Sequence, residues 1–294
     1  MNIFVTGATG NVGIEVIERM IKKDLGNSIV AGVRNIERAM SRFPTLANIR
    51  CVLFDLEDPE SFDSALENID IVFLMRPPQI SNIRKYFDPL ISVLSKKGIR
   101  KVVFLSVQGA ETTSLIPHRK IELAILKAGI NYVFMRPSYF MQNLTTTLAS
   151  EIKTSRTISL PSGNAKFNWI DIRDIAELAV EFIENFDAYR NHCFTISGNE
   201  NVNFETVVTK INEIASTHIS YHPVGPLGYW KLRKKEGMAN GMILMTFLLH
   251  FLPRTRKEPE IVPSYRNILK KDPGTLASFI TRNIQFFRET SRLP

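Results

Sequence analysis

The stretch Thr6-Gly7-Ala8-Thr9-Gly10-Asn11-Val12-Gly13 is where residue type and spacing in this 294-residue chain point most directly to chemistry. It follows a short apolar run and opens a helical pattern. Gly7 permits a tight turn, Gly10 lets the backbone approach a pyrophosphate, and Gly13 lets the helix lie close on the strand. The start of the helix adds amide groups without intrahelical partners and the positive end of its dipole. The spacing is G-x-x-G-x-x-G rather than the better-known G-x-G-x-x-G, and a glycine triplet by itself also serves as a plain structural turn. Its place at the first strand-to-helix junction of an alternating pattern is what makes it a dinucleotide site.

The second strand decides which dinucleotide. An acidic residue at its end would bind a ribose 2′-hydroxyl. Here the strand runs into Ala31-Gly32-Val33-Arg34-Asn35, with Arg38 one turn further on. A carboxylate would repel a 2′-phosphate, whereas a guanidinium pairs with it bidentately, so NADP(H) is expected over NAD(H). The competing reading of Arg34 is a solvated surface charge.

Further candidates are spread along the chain. His118 enters a helix ahead of Lys120-Ile121-Glu122, from where it could contact the nicotinamide ribose or relay a proton near neutral pH. Tyr139, Phe140, Met141, Trp169 and Trp230 are placed to line an apolar pocket for a flat acceptor, although core packing explains any one of them equally well. Asp171 and Asp174 sit three apart at a helix start, where capping and the dipole account for them. Cys51 and Cys193 make neither a disulfide framework nor a metal site, and no metal is expected.

These residues need a scaffold, and the pattern supplies one. Near-continuous apolar runs at 2–5, 28–33, 49–53, 69–74, 101–105 and 132–135 alternate with helical spacings. That is the signature of parallel strands covered on both faces, so the expected fold class is α/β, a Rossmann-type doubly wound parallel sheet. Residues 167–170 and 193–196 read as further strands, and 172–183 as a helix. From residue 201 onward helical patterns broken by prolines suggest a smaller, mainly helical lobe. The domains are accordingly placed at 1–200 and 201–294, with 140–166 open to either.

Charge is distributed unevenly across that division. The net +8 arises almost wholly beyond residue 200, where 14 basic residues face 7 acidic ones. No nucleic-acid reading motif accompanies it, so nucleic acid is not expected as a partner. The apolar stretch 242–252 is about half the length of a membrane-spanning helix. It is bracketed by Lys231, Arg233, Lys234 and Lys235 before it and by Arg254, Arg256 and Lys257 after it. Acidic or apolar substrates, an anionic membrane surface, and a partner protein are all compatible with that arrangement. The N-terminus carries no signal-peptide pattern, and a cytoplasmic location is expected.

The glycine turn resembles that of the NmrA-like group of atypical short-chain dehydrogenases/reductases. So do Arg34, Asp55-Leu56, Leu105-Ser106-Val107-Gln108-Gly109-Ala110, the run from Met135 to Leu144 that includes Arg136-Pro137-Ser138-Tyr139-Phe140, and Trp169-Ile170-Asp171-Ile172-Arg173-Asp174. The resemblance covers residues 1–200 well and is general beyond them. It implies that Gly7, Ala8, Thr9, Gly10, Asn11 and Val12 hold the pyrophosphate and Arg34 the 2′-phosphate. Asp55 and Leu56 would lie by the adenine, Leu74, Met75 and Arg76 on the adenosine ribose side, and Phe140 by the nicotinamide. Ser106 takes the place of the superfamily's substrate-binding serine, and the last third becomes a lobe over the nicotinamide side.

The wider superfamily uses Tyr-x-x-x-Lys, whose lysine lowers the tyrosine pKa for proton donation. Those positions fall here on Ser114 and His118, so ordinary ketone chemistry and sugar-nucleotide epimerisation are not expected. Two readings remain: an NADPH-dependent reductase of a quinone-like or other apolar conjugated acceptor, with His118, Ser106 and Tyr139 as catalytic candidates, or a regulatory protein that senses NADP(H) without turnover.

Overall fold

The computed structural model describes residues 1–23, 28–43, 49–112 and 116–289; Ser114 lies outside them. The apolar runs are strands, and the amphipathic spacings between them are helices. In chain order the first stretch comprises β1 (Asn2–Val5), α1 (Asn11–Lys23), β2 (Ser28–Val33), α2 (Ile36–Arg42), β3 (Ile49–Leu53), α3 (Ser61–Ala65) and β4 (Ile71–Met75). It continues through α4 (Ile83–Lys96), β5 (Lys101–Leu105), α5 (Pro117–Lys127) and β6 (Asn131–Pro137). Next come β7 (Tyr139–Phe140), α6 (Ala149–Ser155), β8 (Thr157–Leu160), β9 (Phe167–Ile170), α7 (Ile172–Glu184), α8 (Phe186–Tyr189) and β10 (His192–Ile196). The remainder holds β11 (Asn201–Val202), α9 (Phe204–Ala215), β12 (Ser220–Pro223), α10 (Pro226–Lys235), α11 (Asn240–Phe251), α12 (Ser264–Leu269), α13 (Leu276–Arg282) and α14 (Ile284–Arg288).

The chain divides into two units, 1–137 with 172–196, and 138–171 with 197–294. It therefore crosses between them three times, rather than once near residue 200; the segment 140–166 falls with the second unit, the alternative that the sequence leaves open. The run 138–171 joins the second unit because its strands find their partners there: β9 pairs with β7 and β11, and β8 with β12.

The first unit carries a seven-stranded sheet in the order β3-β2-β1-β4-β5-β6-β10. Every neighbouring pair in it is parallel. Strands β1, β4 and β5 are buried almost throughout, which is why they read as unbroken apolar runs rather than alternations. Helix α1 packs on α7, and Arg19–Glu177, Lys23–Glu184 and Arg173–Glu15 ion pairs lace the two together. The strand order reverses between β1 and β4, which makes the crevice at their carboxyl ends the place where open sheets of this kind bind ligands.

The second unit is not purely helical. It contains a three-stranded sheet, β11-β9-β7, and the parallel pair β12-β8. Its core gathers Trp169, Phe204, Met141, Leu144, Tyr229 and Phe279. Helix α9 is capped by the Asn203 side chain, which accepts the Thr206 amide, and it buries Phe204, Val207, Val208 and Ile211 at helical spacing. Gly198 is forced by contact: a Cβ there would stand 1.8 Å from the Trp169 carbonyl oxygen.

Candidate functional site

Thr6 fixes the start of the glycine turn. Its hydroxyl accepts the Met75 amide at 2.7 Å and its own amide donates to the Phe73 carbonyl at 3.0 Å, which locks the ends of β1 and β4 together at the reversal point. Gly7 then turns with φ +57°, a region that favours glycine. The Gly10 amide closes the turn onto the Gly7 carbonyl at 2.9 Å, and the Ile14 amide on the Gly10 carbonyl begins the ladder of α1. A Cβ on Gly13 would lie 2.4 Å from the Gly7 oxygen and 2.8 Å from the Ala8 Cα, both backbone atoms that cannot swing away. The third glycine is thus what seats the helix on the turn.

Gly7, Thr9, Gly10 and Asn11 are exposed on this turn, whereas Ala8 and Val12 point their side chains into the core and can offer a ligand only their backbone. The concave backbone and the first amides of a 13-residue helix fit a pyrophosphate. Met75 stands beside them, its Cε 3.3 Å from where a Cβ on Gly7 would be, while Leu74 is wholly buried in the sheet.

Arg34 is the first residue beyond β2 and Arg38 lies in α2; both are exposed, and neither forms an ion pair with a described residue. Asn35 between them caps α2 by accepting the Arg38 amide at 2.7 Å, so the helix start fixes the spacing of the two guanidinium-bearing residues. At the end of β3, the Asp55 amide donates to Ser61 Oγ and its carboxylate accepts the Glu57 amide at 3.0 Å, while Leu56 is buried. The predicted cofactor residues from β1 to β4 thus gather at the carboxyl ends of four adjacent strands.

Three of the predicted residues in this unit are engaged otherwise than expected. The Arg76 guanidinium donates to the carbonyls of Pro77, Pro78 and Ile80, the last at 2.6 Å, and so staples its own loop rather than reaching toward a ribose. Burial lowers its pKa to about 10. Arg76 Nε also donates to His118 Nε2 at 3.4 Å. Burial, reinforced by that neighbouring cation, brings the His118 pKa down to about 3. His118 therefore stays neutral with Nε2 engaged, which does not suit a proton relay near neutral pH.

Ser106, expected to bind substrate, turns inward. Its hydroxyl donates to Glu122 Oε1 at 2.7 Å, and Glu122 is fully buried. Arg136 clasps the same carboxylate bidentately, with Nε on Oε1 at 2.9 Å and Nη2 on Oε2 at 2.8 Å, and Arg119 donates to Oε2 at 3.0 Å. Glu111 completes the set at 3.3 Å from Arg136 Nη1. Burial by itself would raise the Glu122 pKa, but the bonds from Arg136, Ser106 and Arg119 outweigh it and hold the carboxyl below its ordinary value. Neither Glu122 nor Arg136 was a candidate from sequence. The available signal was a charge directly following an apolar strand run, at Arg136, and another on the buried face of α5 between Ile121 and Ile125.

In the second unit, Tyr139 donates its hydroxyl proton to His250 Nε2 at 2.9 Å, because His250 Nδ1 is committed to the Thr246 carbonyl at 2.7 Å. Tyr229 joins the chain through the Thr246 hydroxyl. Burial pushes the Tyr139 phenol well above its ordinary value and lowers the His250 pKa to about 4. Tyr139 is packed edge-on against Trp169 and Phe204, and Met141 and Trp169 are core residues of this unit. Phe140 is half-buried in β7, whereas Trp230 is exposed on α10. Asp171 accepts from Gln142 at 2.6 Å and from Arg282, which makes it a structural anchor. Among the described residues no cluster of His, Cys, Asp and Glu could hold a metal.

Prestalk A differentiation protein A of Dictyostelium discoideum is 27% identical over 281 residues, spanning 95% of this chain and 91% of that protein. The NAD(P)H azoreductase of Xenophilus azovorans is 26% identical over 225 residues, with 74% and 76% coverage. Among solved structures, the NADPH-dependent quinone oxidoreductase of Escherichia coli complexed with NADPH superposes with a TM-score of 0.83 at 19% identity, covering 95% of this chain and 99% of that one. The NmrA-like family model matches residues 1–248, from the start of β1 into α11. The chain therefore belongs to the NmrA-like family of atypical short-chain dehydrogenases/reductases.

Proposed function

We propose that this protein is an NADPH-dependent reductase of a quinone-like or other apolar conjugated acceptor. The observation that carries the reading is the glycine turn at the β1/β4 reversal, together with Arg34 just beyond β2 and Arg38 in α2, neither of which forms an ion pair with a described residue. The azoreductase and quinone oxidoreductase relatives support the same class of reaction.

When bound, NADPH supplies a hydride to the acceptor and becomes NADP⁺. The backbone from Gly7 to Asn11 would hold the pyrophosphate without a charged side chain, and Arg34 with Arg38 would neutralise a 2′-phosphate. A quinone that accepts a hydride can take its proton from water, so the reaction needs no tyrosine of lowered pKa. That agrees with the engagement of Ser106 by Glu122, of His118 by Arg76, and of Tyr139 by His250: none of the three presents a readily released proton. Steady-state NADPH oxidation across a panel of quinones and azo dyes tests the proposal. Turnover with NADPH well above that with NADH is expected; confirmed NADPH binding with no turnover on any acceptor would refute it.

The same engagement of all three candidate donors favours a second reading, a protein that reports the NADP(H) state to a partner. Partner capture that differs between NADP-loaded and NADP-free protein would support it, and equal capture would exclude it.

A further inference from the structure

Helix α11 has two opposite faces of unlike fate. Ile243, Thr246 and His250 are buried, while Leu244, Met245, Leu248, Leu249 and Leu252 are exposed, Leu244 by 50% and Leu249 by 47%. At about 100° per residue these five positions fill one stripe roughly 140° wide, centred opposite the buried face. An apolar stripe of that width on a helix end to end is more than scattered surface leucines. Helix α10 adjoins it through the Tyr229–Thr246 hydrogen bond and the Tyr229–Phe247 ring contact. It repeats the pattern, with Leu227, 80% exposed, and Trp230 on the same side as Lys231 and Lys234.

Cations sit at both ends of the stripe in excess of the acids beside them. Lys231, Lys234, Lys235, Arg254, Arg256 and Lys257 form no ion pair with a described residue. Of the acids beside these cations in the chain, Glu236 pairs with the buried Arg233 and Glu258 with Lys166 at 2.7 Å, and Glu260 alone does not balance six cations. Beyond the carboxyl end of α11, Arg254 and Arg256 line an open pocket of about 420 Å³ with Asn164 and the Lys166–Glu258 ion pair, a polar hollow with two cations in excess. The Arg254 guanidinium lies over the Phe251 ring of α11 at 5.1 Å.

We propose that the α10–α11 face docks on an anionic phospholipid surface, with the leucine stripe at the acyl boundary and the flanking cations among the headgroup phosphates. The composition favours lipid over a protein partner. Lysine and leucine are poor carriers of protein–protein affinity, whereas lysine stems bury along apolar surface while the ammonium reaches a phosphate. Trp230 on the exposed side of α10 matches the usual place of tryptophan at a membrane boundary. No described helix is long and apolar enough to cross a bilayer, so such binding lies in the plane of the interface.

Co-sedimentation of the full chain with phosphatidylcholine vesicles, and with vesicles in which part of that lipid is phosphatidylglycerol, tests the proposal. Binding to the anionic vesicles is expected, weakened by added salt. The triple variant Lys231→Gln, Lys234→Gln, Lys235→Gln should lose affinity by roughly 100-fold, from a factor of about five per cation near the surface. Leu248→Gln with Leu249→Gln should lose about tenfold or more, from withdrawal of two aliphatic side chains. All five positions are exposed, and an unchanged thermal midpoint will show that the fold is intact. Equal sedimentation with both vesicle types, or no loss in either variant, overturns the proposal. So does a concentration-dependent dimer that the leucine variant abolishes while vesicle binding is absent, since a second copy would then be the occupant.

Discussion

Glu122→Gln keeps the shape of a buried side chain and removes its charge, which isolates what the carboxylate contributes beneath the carboxyl ends of β5 and β6. The amide would present a donor to Arg119 and Arg136 where each now meets an oxygen, at 3.0 and 2.8 Å. Removing one partner of a buried ion pair costs about 3–5 kcal/mol. Arg119 is 27% exposed and Arg136 retains Glu111, so both regain some solvation or pairing and the lower figure of about 3 kcal/mol is expected. Urea denaturation followed by circular dichroism would read this as a lowered midpoint with unchanged slope. Ser106→Ala removes one hydroxyl–carboxylate bond and should cost less, about 1.5–3 kcal/mol. The pH dependence gives a second signature. The folded carboxyl lies below its unfolded value of about 4.3, so its contribution is full above that pH and is lost as pH falls through the folded value. Glu122→Gln must therefore flatten the acid limb of the stability curve. A loss below about 1 kcal/mol, or a Ser106→Ala protein of unchanged stability but raised KM, would refute the structural assignment and restore Ser106 as a substrate ligand.

Three further outcomes are expected. Gly13→Ala drives a Cβ to within 2.4 Å of the Gly7 oxygen, so α1 must shift; a loss of about tenfold or more in NADPH affinity by fluorescence titration is expected, with about 1–3 kcal/mol of stability. Arg34→Gln should weaken NADPH by roughly 10- to 100-fold in calorimetry, the worth of one charged hydrogen-bonded contact, and leave NADH unchanged; an equal loss for both would detach Arg34 from the 2′-phosphate. His250, whose folded pKa of about 4 lies below the unfolded value of about 6.5, favours the folded state fully above pH ~6.5 and progressively less as pH falls toward 4, by roughly 3 kcal/mol in all. His250→Gln should remove that slope from acid titrations of stability, and an unchanged slope would show that the ring is not buried neutral.

The sheet was legible because its strands are covered on both faces: β1, β2, β3 and β5 begin and end where their apolar runs do. Ends that depend on a neighbour were not. β6 continues through Arg136 to Pro137, since Glu122 satisfies a charge that would otherwise terminate an apolar run, and β10 gains His192 by pairing with Val133. The glycine turn could be read glycine by glycine, because backbone clearance depends on residue type. Side-chain engagement could not. Nothing local to His118, Ser106 or Tyr139 announces that Arg76, Glu122 and His250 will occupy them, since the partners lie 42, 16 and 111 residues away. The exposed stripe on α11 was half visible: the apolar run stood out, but which of its residues turn outward depends on Tyr229 and the core beneath.

The edge strand β10 and the helix α7 reach the seven-stranded sheet only after 34 residues of the other unit have been threaded between them and β6. A sheet formed before residues 192–196 are available would leave the β10-pairing edge of β6, an apolar strand, open. A fragment ending at residue 137 would carry that open edge permanently and would also leave α1 without α7, and so should self-associate. The unit with the glycine turn is thus completed only by the chain's later segments: neither unit can be cut out as a contiguous piece.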